Sequence, residues 1–164
     1  MEENIRNRQD QFVAMIKMHE RLILKVCALY TDCQRYELGD LYQDAVCAMW
    51  ESYASFNNSS KPSTWIYAVT RYTMMNKMRK KSIRFADCDE TQMNEAQSDG
   101  RVDHSLDDVR DAVAMLKPGE RDIFIMWMEG FTISEIAKVM NLTYTNTAVK
   151  INRMKNKLKK MIQP

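Results

Sequence analysis

The chain has 164 residues and a mass of 19.3 kDa, which allows one domain or two small ones, and we expect two. Hydrophobic residues make up 45% and charged residues 28%, so neither a disordered polar chain nor a collagen-like repeat fits. Only 4 Gly and 3 Pro disfavour a turn-rich all-β sandwich or barrel. There is no apolar run of about 18 residues, and no apolar signal segment follows the N-terminus. We therefore expect a cytoplasmic protein without membrane insertion.

The chain contains four cysteines, Cys27, Cys33, Cys47 and Cys88. They form no Cys-x-x-Cys pair, and His19 and His104 complete no metal-ligand spacing with them. We expect free, buried thiols, because a cytosolic cysteine usually behaves as a small hydrophobic residue. The sequence predicts no metal site, no cofactor and no catalytic cysteine.

The net charge of +2 conceals a strong segregation of charge along the chain. In order, the segments are basic, acidic and basic: residues 1–84 carry 13 Lys/Arg and 9 Asp/Glu, residues 85–111 carry 2 and 9, and residues 112–164 carry 9 and 4. The acidic stretch has few large apolar residues, which is typical of a solvated linker. We expect domains at 1–85 and 105–164, joined by a linker at 86–104.

Two helices are predicted before residue 54. Apolar residues at spacings of three and four predict one continuous helix from Phe12 to Tyr30. A second helix is predicted to begin at Asp40, whose carboxylate can accept from first-turn amides while Gln43 reaches back, and to continue to Tyr53.

A polar loop at 55–63 precedes a third helix, predicted from about Thr64 to Lys81. From Arg71 to Arg84 there are six Lys/Arg and no carboxylate, a pattern that indicates binding to a polyanion. Phe56, Trp65, Tyr67 and Tyr72 are interleaved with these cations, and the loop amides and hydroxyls could read a base edge. The candidates for holding exposed bases and phosphates are Asn57, Asn58, Ser59, Lys61, Trp65, Arg71, Lys77, Arg79 and Lys80. Trp65 has an alternative role as a core anchor of the third helix.

The second basic block contains a helix start near Ser105 and a break at 116–120, followed by periodic segments at 120–128, 132–140 and 143–162. Ala137 permits a close helix crossing, Asn141 tolerates a left-handed turn, and Thr143 can cap the next helix. This layout predicts a helix-turn-helix.

The last helix is predicted to have two faces. The buried stripe is Ala148, Ile151, Met154, Leu158 and Ile162, and the opposite side carries Asn146, Lys150, Arg153 and Lys157. A solvated basic surface is the alternative interpretation, but the place of this helix in a helix-turn-helix favours DNA binding.

Several of these segments resemble the small two-domain extracytoplasmic-function sigma factors of bacterial RNA polymerase. The segments are 39–45 with Trp50, 63–67 with Arg71 and Arg79, 116–121, and 130–137 with Lys150, Arg153 and Leu158. Asn141 stands where that family often has Gly, and Thr147 where it often has Val.

The resemblance implies an all-α fold with a region 2 domain and a region 4 domain. It implies a sigma factor that binds core RNA polymerase and directs promoter-specific initiation. Such a protein has no catalysis of its own and is controlled by an anti-sigma factor. The loop and third-helix candidates above would then contact the minus-10 element. The minus-35 candidates are Tyr144, Thr145, Asn146, Lys150, Arg153 and Lys157. The polymerase-binding candidates are Asp40, Tyr42, Gln43, Asp44, Trp50, Phe124 and Trp127.

Two other classes of protein stay open on the sequence alone. A stand-alone helix-turn-helix transcriptional regulator would need no polymerase-docking helix and should carry a dimerisation surface instead. A nucleic-acid-processing enzyme would need a constellation of carboxylates, metal ligands or a nucleophile, and the sequence shows none.

Overall fold

The computed structural model describes residues 2–31, 36–84 and 115–162, and within these ranges all regular structure is helical, which confirms the predicted fold class. In chain order the helices are α1 (Glu2–Met18), α2 (Glu20–Ala28), α3 (Leu38–Tyr53), α4 (Pro62–Arg84), α5 (Pro118–Met128), α6 (Ile133–Met140) and α7 (Tyr144–Ile162). They form two compact units, α1 to α4 and α5 to α7. Within the described ranges, none of the helices combines the length and apolarity needed to cross a bilayer.

The helix predicted as continuous from Phe12 to Tyr30 is broken at His19. The backbone there has φ −111° and ψ 12°, which separates α1 from α2. The His19 ring Nδ1 lies 2.9 Å from the carbonyl oxygen of Met15, and its backbone N–H donates to the same oxygen at 3.2 Å. Both bonds give a hydrogen-bond partner to the Met15 carbonyl oxygen, which lies near the end of α1. The prediction was wrong because the three-and-four spacing of apolar residues continues across the break.

The interior of the first unit is built by α2, α3 and α4, with α1 against α2 and α3. Its buried hydrophobic residues are Phe12, Ile16, Leu22, Ile23, Val26, Cys27, Leu41, Ala45, Met49, Ile66, Tyr67 and Met74. The buried hydroxyl of Thr70 donates to the carbonyl oxygen of Ile66 at 2.8 Å, so this buried polar group has a hydrogen-bond partner. The outward faces of α3 and α4 are thereby left for contacts with other molecules.

Helix α3 begins earlier than predicted. It starts at Leu38 after an extended Glu37, and no side chain caps it. The predicted capping box of Asp40 and Gln43 is therefore wrong: Asp40 lies inside the first turn, where the helix dipole stabilises a carboxylate. Both side chains are exposed and remain available to a partner.

Helix α4 begins at Pro62, two residues before the predicted start. Proline suits a first helical position because its missing N–H would have no intrahelical partner there. The helix continues to Arg84. The side chain of Lys80 lies outside the described part of the chain.

Within residues 115–162, the second unit has three helices, with a helix-turn-helix at α6 and α7. Its buried residues are Leu116, Asp122, Ile123, Met126, Phe131, Ile136, Ala137, Thr147, Ile151, Met154 and Leu158. Asn141 adopts φ 53° and ψ 47°, and the Thr143 hydroxyl accepts from the Asn146 N–H at 3.2 Å, as predicted. The Thr147 hydroxyl donates to the Thr143 carbonyl oxygen at 2.9 Å, which lets a threonine occupy a fully buried position. The helix start predicted near Ser105 lies outside the described residues.

Helix α6 starts with a capping box that the sequence analysis missed. The Thr132 hydroxyl accepts from the Glu135 N–H at 3.3 Å, and the Glu135 carboxylate accepts from the Thr132 N–H at 2.8 Å. The Thr-x-x-Glu spacing before an apolar run is the signal that could have identified it.

We expect Thr132→Ala to lower the free energy of unfolding of the second unit by about 1 kcal/mol, the usual cost of losing an N-cap. Thr145→Ala is the matched control, since Thr145 is exposed in the first turn of α7 and makes no cap. Denaturant unfolding of both variants gives the comparison. Equal free energies of unfolding for the two variants would show that the capping box at Thr132 does not stabilise the second unit.

Candidate functional site

Helix α3 presents an acidic strip, made of Asp40, Asp44 and Glu51. All three side chains are exposed, and α3 contains no Lys or Arg. Gln43 is exposed on the same helix and the Trp50 residue is 39% exposed. This surface has the charge and exposure to bind a basic partner.

Tyr42, also predicted to bind polymerase, is only partly accessible. Its side chain is half-buried. Burial raises the pKa of its phenol, and the negative charges of Glu20 and of Cys27 in its thiolate form act in the same direction. Tyr42 therefore stays neutral and offers a partner only part of its ring and its hydroxyl.

Helix α4 is the electrostatic opposite of α3, because it contains no Asp or Glu. Its described cations include Arg71, Lys77 and Arg79, and at about 100° per residue Lys77 lies about 120° from Arg71 and about 160° from Arg79 around the helix. Arg79 is exposed, Arg71 and Lys77 are half-buried, and Tyr72 adds a ring that is 67% exposed. Cations interleaved with an exposed aromatic ring suit a single strand of nucleic acid.

An ion pair connects the acidic strip of α3 to Lys77 on α4. The Lys77 ammonium donates to the Asp44 carboxylate, and it also lies 4.5 Å from the centre of the Tyr36 ring. An open groove of about 860 Å³ runs along α3 and α4, and both members of the pair line it together with Cys47, Ala48 and Tyr72. Asp44, predicted to contact polymerase, is thus paired with Lys77, predicted to contact DNA.

Aromatic rings form a row between α1, α3 and α4. Phe12 lies 5.0 Å from Trp50 and 5.1 Å from Tyr53, Tyr53 lies 6.3 Å from Trp65, and Trp65 stacks on Phe56 at 4.7 Å. Trp65 is half-buried and has one face covered by Phe56, so it acts at least in part as an anchor.

The expectation that Tyr67 offers its ring to an exposed base is wrong. Tyr67 is fully buried in the first unit, so no base can reach its ring. Its apolar body fills the core, and helical spacing carries it away from the exposed Tyr72. Tyr72 is the aromatic residue of α4 that remains for stacking.

The loop before α4 is held in a defined shape. The Asn57 side-chain oxygen accepts from the Ser59 N–H at 3.1 Å, and Asn58 has φ 57°. The side chains of residues 57–59 and Lys61 are exposed. On the α1 side, Asn58 and Phe56 border a cleft of about 770 Å³ that Arg8 and His19 also line. The loop therefore places polar groups beside a cleft, which is the arrangement needed to receive an unstacked base.

In α7, the four residues predicted to oppose the core lie on its flank. The buried stripe is Thr147, Ile151, Met154 and Leu158, while Ala148 is half-buried and the Ile162 side chain is outside the described set. At about 100° per residue, Asn146, Lys150, Arg153 and Lys157 lie roughly 70–130° from the centre of that stripe. The residues most nearly opposite the core are Thr145, Val149 and Asn156, while Asn152 lies about 130° from the centre of the stripe, as far as Arg153 does on the other side; all are exposed.

Contacts with α5 show the same geometry. Lys157 pairs with Glu120 at 3.6 Å, and Lys150 and Arg153 line a small crevice beside Glu120. On the other flank, the Lys155 ammonium lies 4.4 Å from the centre of the Trp127 ring. Tyr144 is 58% exposed, and Thr145 and Asn146 are exposed beside it. The recognition helix thus has an uncharged centre with cations on both sides.

The two aromatic residues predicted to meet polymerase from the second unit lie together on α5. The rings of Phe124 and Trp127 are 6.3 Å apart, and both residues are half-buried. Met128 adds an apolar side chain that is 61% exposed. This patch has an apolar surface for a partner, although Lys155 covers part of Trp127.

The described cysteines differ in exposure, which corrects the expectation that all are buried. Cys27 is buried and Cys47 is exposed, while Cys33 and Cys88 lie outside the described residues. Burial raises the pKa of the Cys27 thiol to about 11, and the charge of Asp44 contributes in the same direction. No group of three His, Cys, Asp or Glu in the described ranges could hold a metal ion.

We expect iodoacetamide at pH 8 to modify Cys47 much faster than Cys27. With a pKa of about 11, only about 0.1% of Cys27 is thiolate at that pH, and the site is shielded as well. Peptide mapping by mass spectrometry resolves the two positions. Modification of both at equal rates in the folded protein would contradict the packing of α2 against α3 and α4.

Comparisons with known proteins agree with this geometry. Residues 15–83 match the Sigma-70 region 2 family, and residues 106–158 match Sigma-70, region 4. No curated protein sequence matches the chain. Among solved structures, the chain is similar to the sigma factor RpoE of Bartonella quintana, determined in complex with the anti-sigma factor NepR. That match has a TM-score of 0.70 and 22% identity, covering 90% of this chain and 96% of the other.

A second similar structure is CnrH in complex with the cytosolic domain of CnrY, with a TM-score of 0.62 and 17% identity. It covers 94% of this chain and 88% of that chain. The fold is therefore that of these proteins. The two sequence matches show more: the chain belongs to the sigma-70 family, with regions 2 and 4 in that order.

The protein is a sigma factor of the extracytoplasmic-function type, and its function is to direct transcription initiation through core RNA polymerase and promoter DNA. Families of sigma factors are not enzymes. The class of protein implied by the sequence motifs is confirmed.

Proposed function

We propose that the α3 acidic strip, together with Gln43 and Trp50, binds core RNA polymerase. The observation that carries this proposal is the strip itself: three exposed carboxylates on a helix that has no cation of its own. Tyr42 contributes the exposed part of its side chain. Complementary charge between such a strip and a basic partner raises the association rate and fixes the register of the complex.

The loop at 57–60 and the cations of α4 bind the minus-10 element in this proposal. Asn58 lines the 770 Å³ cleft, which receives an unstacked base, and its exposed neighbours Asn57 and Ser59 add an amide and a hydroxyl group. Lys61, Arg71, Arg79 and Lys80 hold phosphates, and Trp65 supports the loop through Phe56.

Helix α7 reads the minus-35 element in the major groove. Thr145 and Val149 face most directly away from the core, so they enter the groove most deeply, and Asn152 and Arg153 lie on either side of them. A valine methyl fits the methyl group of thymine, and an asparagine amide can bond adenine at two atoms. Asn146, Lys150 and Arg153 lie toward one edge of this strip, from where a long side chain can still reach a base, and Tyr144 lies on the other side at the start of the helix. Lys157 contacts the DNA backbone from its pair with Glu120.

The proposal extends to organisation and partners. Phe124 and Trp127 rest against polymerase through their apolar patch. The domains comprise residues 1–85 and 105–164, with residues 86–104 as the linker. The protein acts in the cytoplasm and carries out no catalysis of its own. Because RpoE and CnrH were each solved with another protein, NepR or the cytosolic domain of CnrY, we propose that this chain too is controlled by an anti-sigma factor.

The experiment that tests the proposal is reconstituted transcription. The purified full chain is added to core RNA polymerase on a pool of randomised promoter DNA, and transcripts are sequenced. We expect initiation at a two-part consensus that is absent without the chain. Binding of the chain to DNA as a dimer, with no effect on initiation, would instead favour the stand-alone helix-turn-helix regulator.

A further inference from the structure

The 770 Å³ cleft beside the loop before α4 is lined from two parts of the chain. The loop supplies Phe56 and Asn58, while α1 supplies Arg8 and the break between α1 and α2 supplies His19. Asn58 belongs to the loop that we propose to read the minus-10 element. A base that enters this cleft therefore meets groups from α1 as well as from the loop.

The charge of the cleft suits a nucleotide. Among the described residues that line it there is a cation, Arg8, and no Asp or Glu, and the rings of Tyr53 and Phe56 add apolar surface for a base. The groove along α3 and α4 differs, because Asp44 and Glu51 line it and would repel a phosphate. Of these two depressions, the cleft beside α1 is the one that a nucleotide can enter without charge repulsion.

The Arg8 guanidinium is held beside aromatic rings. Its central carbon lies 5.6 Å from the centre of the Tyr53 ring and 5.8 Å from that of Trp50. Within the described ranges Arg8 has no hydrogen-bond or ion-pair partner, and its side chain is exposed. Attraction to ring faces leaves the N–H groups of a guanidinium able to donate, and phosphate oxygens match their planar arrangement. Arg8 is therefore positioned to bind a phosphate.

The His19 ring offers a hydrogen-bond acceptor. Its Nδ1 lies 2.9 Å from the Met15 carbonyl oxygen, which can only accept, so Nδ1 carries the proton and Nε2 of the neutral ring keeps its lone pair. Nε2 has no partner within the described ranges. Since no described side-chain nitrogen is both buried and without a partner, Nε2 is open to solvent. It can accept an N–H group from the edge of a base.

We propose that His19 and Arg8 complete the minus-10 site from the α1 side: His19 Nε2 accepts an N–H group of the unstacked base, and Arg8 binds a phosphate of the same strand. This inference rests on the proposed minus-10 role of the cleft. The place of the N–H groups on the Watson–Crick edge differs between bases, so a fixed acceptor discriminates between them, whereas a phosphate contact does not. Substitutions of the two residues should therefore have different effects.

The test uses the full chain reconstituted with core RNA polymerase. The probe is fork-junction DNA that is single-stranded through the minus-10 element, with each base of that strand varied in turn. His19→Ala should reduce base discrimination at one position about two- to tenfold, the usual net effect of one hydrogen bond. Asn58→Gly should alter the same position, and glycine suits the left-handed backbone there, where φ is 57°. His19→Gln, which supplies an amide oxygen as acceptor, should restore part of the discrimination.

Arg8→Gln should instead weaken binding of all the probes about two- to fivefold and reduce the log-log salt slope by about 0.7, the value for one phosphate contact on a single strand. Arg6→Gln is the matched control, because Arg6 is an exposed cation of α1 that lies about 160° away around the helix and does not line the cleft. Both arginines are exposed, so these variants should stay folded and test the cleft independently of His19. Equal effects of the two substitutions would overturn the phosphate contact.

A uniform loss in His19→Ala would overturn the base contact, since a purely structural role at the end of α1 weakens binding of every probe alike. A change at a position other than the one altered by Asn58→Gly would overturn it as well. If Asn58→Gly changes base preference while the His19 and Arg8 variants lack their expected effects, this inference fails and the proposed function stands. Unchanged preference in both Asn58→Gly and His19→Ala would show that no base enters the cleft, and the proposed role of the loop would fail too.

Discussion

Asp44→Arg is expected to abolish stable association with core RNA polymerase. The change removes a carboxylate from the centre of the α3 acidic strip and places a cation against a basic partner. Breaking a charge pair at an interface costs about 2–5 kcal/mol, which corresponds to a loss of roughly 30-fold or more in affinity. Co-purification with core enzyme and competition against the wild-type chain measure the effect.

Stability should change much less than binding. The Asp44 side chain is 47% exposed and its pair with Lys77 is a surface pair, so its loss costs at most about 1 kcal/mol of folding free energy. Asp10→Arg is the matched control, since it makes the same charge change at an exposed position on α1. If Asp44→Arg and Asp10→Arg bind polymerase equally well, the docking surface lies elsewhere.

Local chemistry made the helix-turn-helix predictable. A left-handed Asn141 and a capping Thr143 depend on residues within one turn of each other, and the structure contains both. The same holds for the start of α4, where Pro62 shifts the boundary by only two residues. Features that depend on neighbours in sequence can be identified from residue type and spacing alone.

Boundaries that depend on packing were harder to predict. The division between α1 and α2 at His19 leaves the apolar spacing unchanged, so periodicity could not reveal it. The start of α3 at Leu38 similarly overrides the capping preference of Asp40. Tertiary packing decides such boundaries, because a cap contributes only about 1 kcal/mol.

The sequence predicted which charges the helices of the site carry. It did not predict how the packed helices place those charges. An acid-only α3 and a base-only α4 are visible in the sequence, but their link through Asp44 and Lys77 requires the packed helices. In α7, the residues predicted to face DNA were chosen mainly for their positive charge, and they lie toward the flank of the helix. The outward strip of Thr145, Val149 and Asn152 can be placed only after Thr147 is recognised as a member of the buried stripe, and Arg153 then lies as far from the core as Asn152 does.

Base discrimination at the minus-35 element should therefore depend on both the outward strip and its edge. We expect Asn152→Ala to cost roughly 1–3 kcal/mol on the preferred sequence and to flatten the preference at one base pair, because an amide that bonds adenine at two atoms is lost. Arg153→Ala should have a similar effect at a neighbouring position if its guanidinium reaches guanine from the edge. Both side chains are exposed, so folding should be preserved.

Lys159→Ala provides the contrast, since Lys159 is exposed near the C-terminal end of α7 and should meet only phosphates. Its loss should weaken binding to all sequences about equally and reduce the log-log salt slope by about one unit. The measurement is the affinity of the full chain for duplexes that carry single-base changes in the minus-35 element, at several salt concentrations. A uniform loss for Asn152→Ala, with discrimination intact, would show that the outward strip does not read bases and would leave specificity with Lys150 and Arg153.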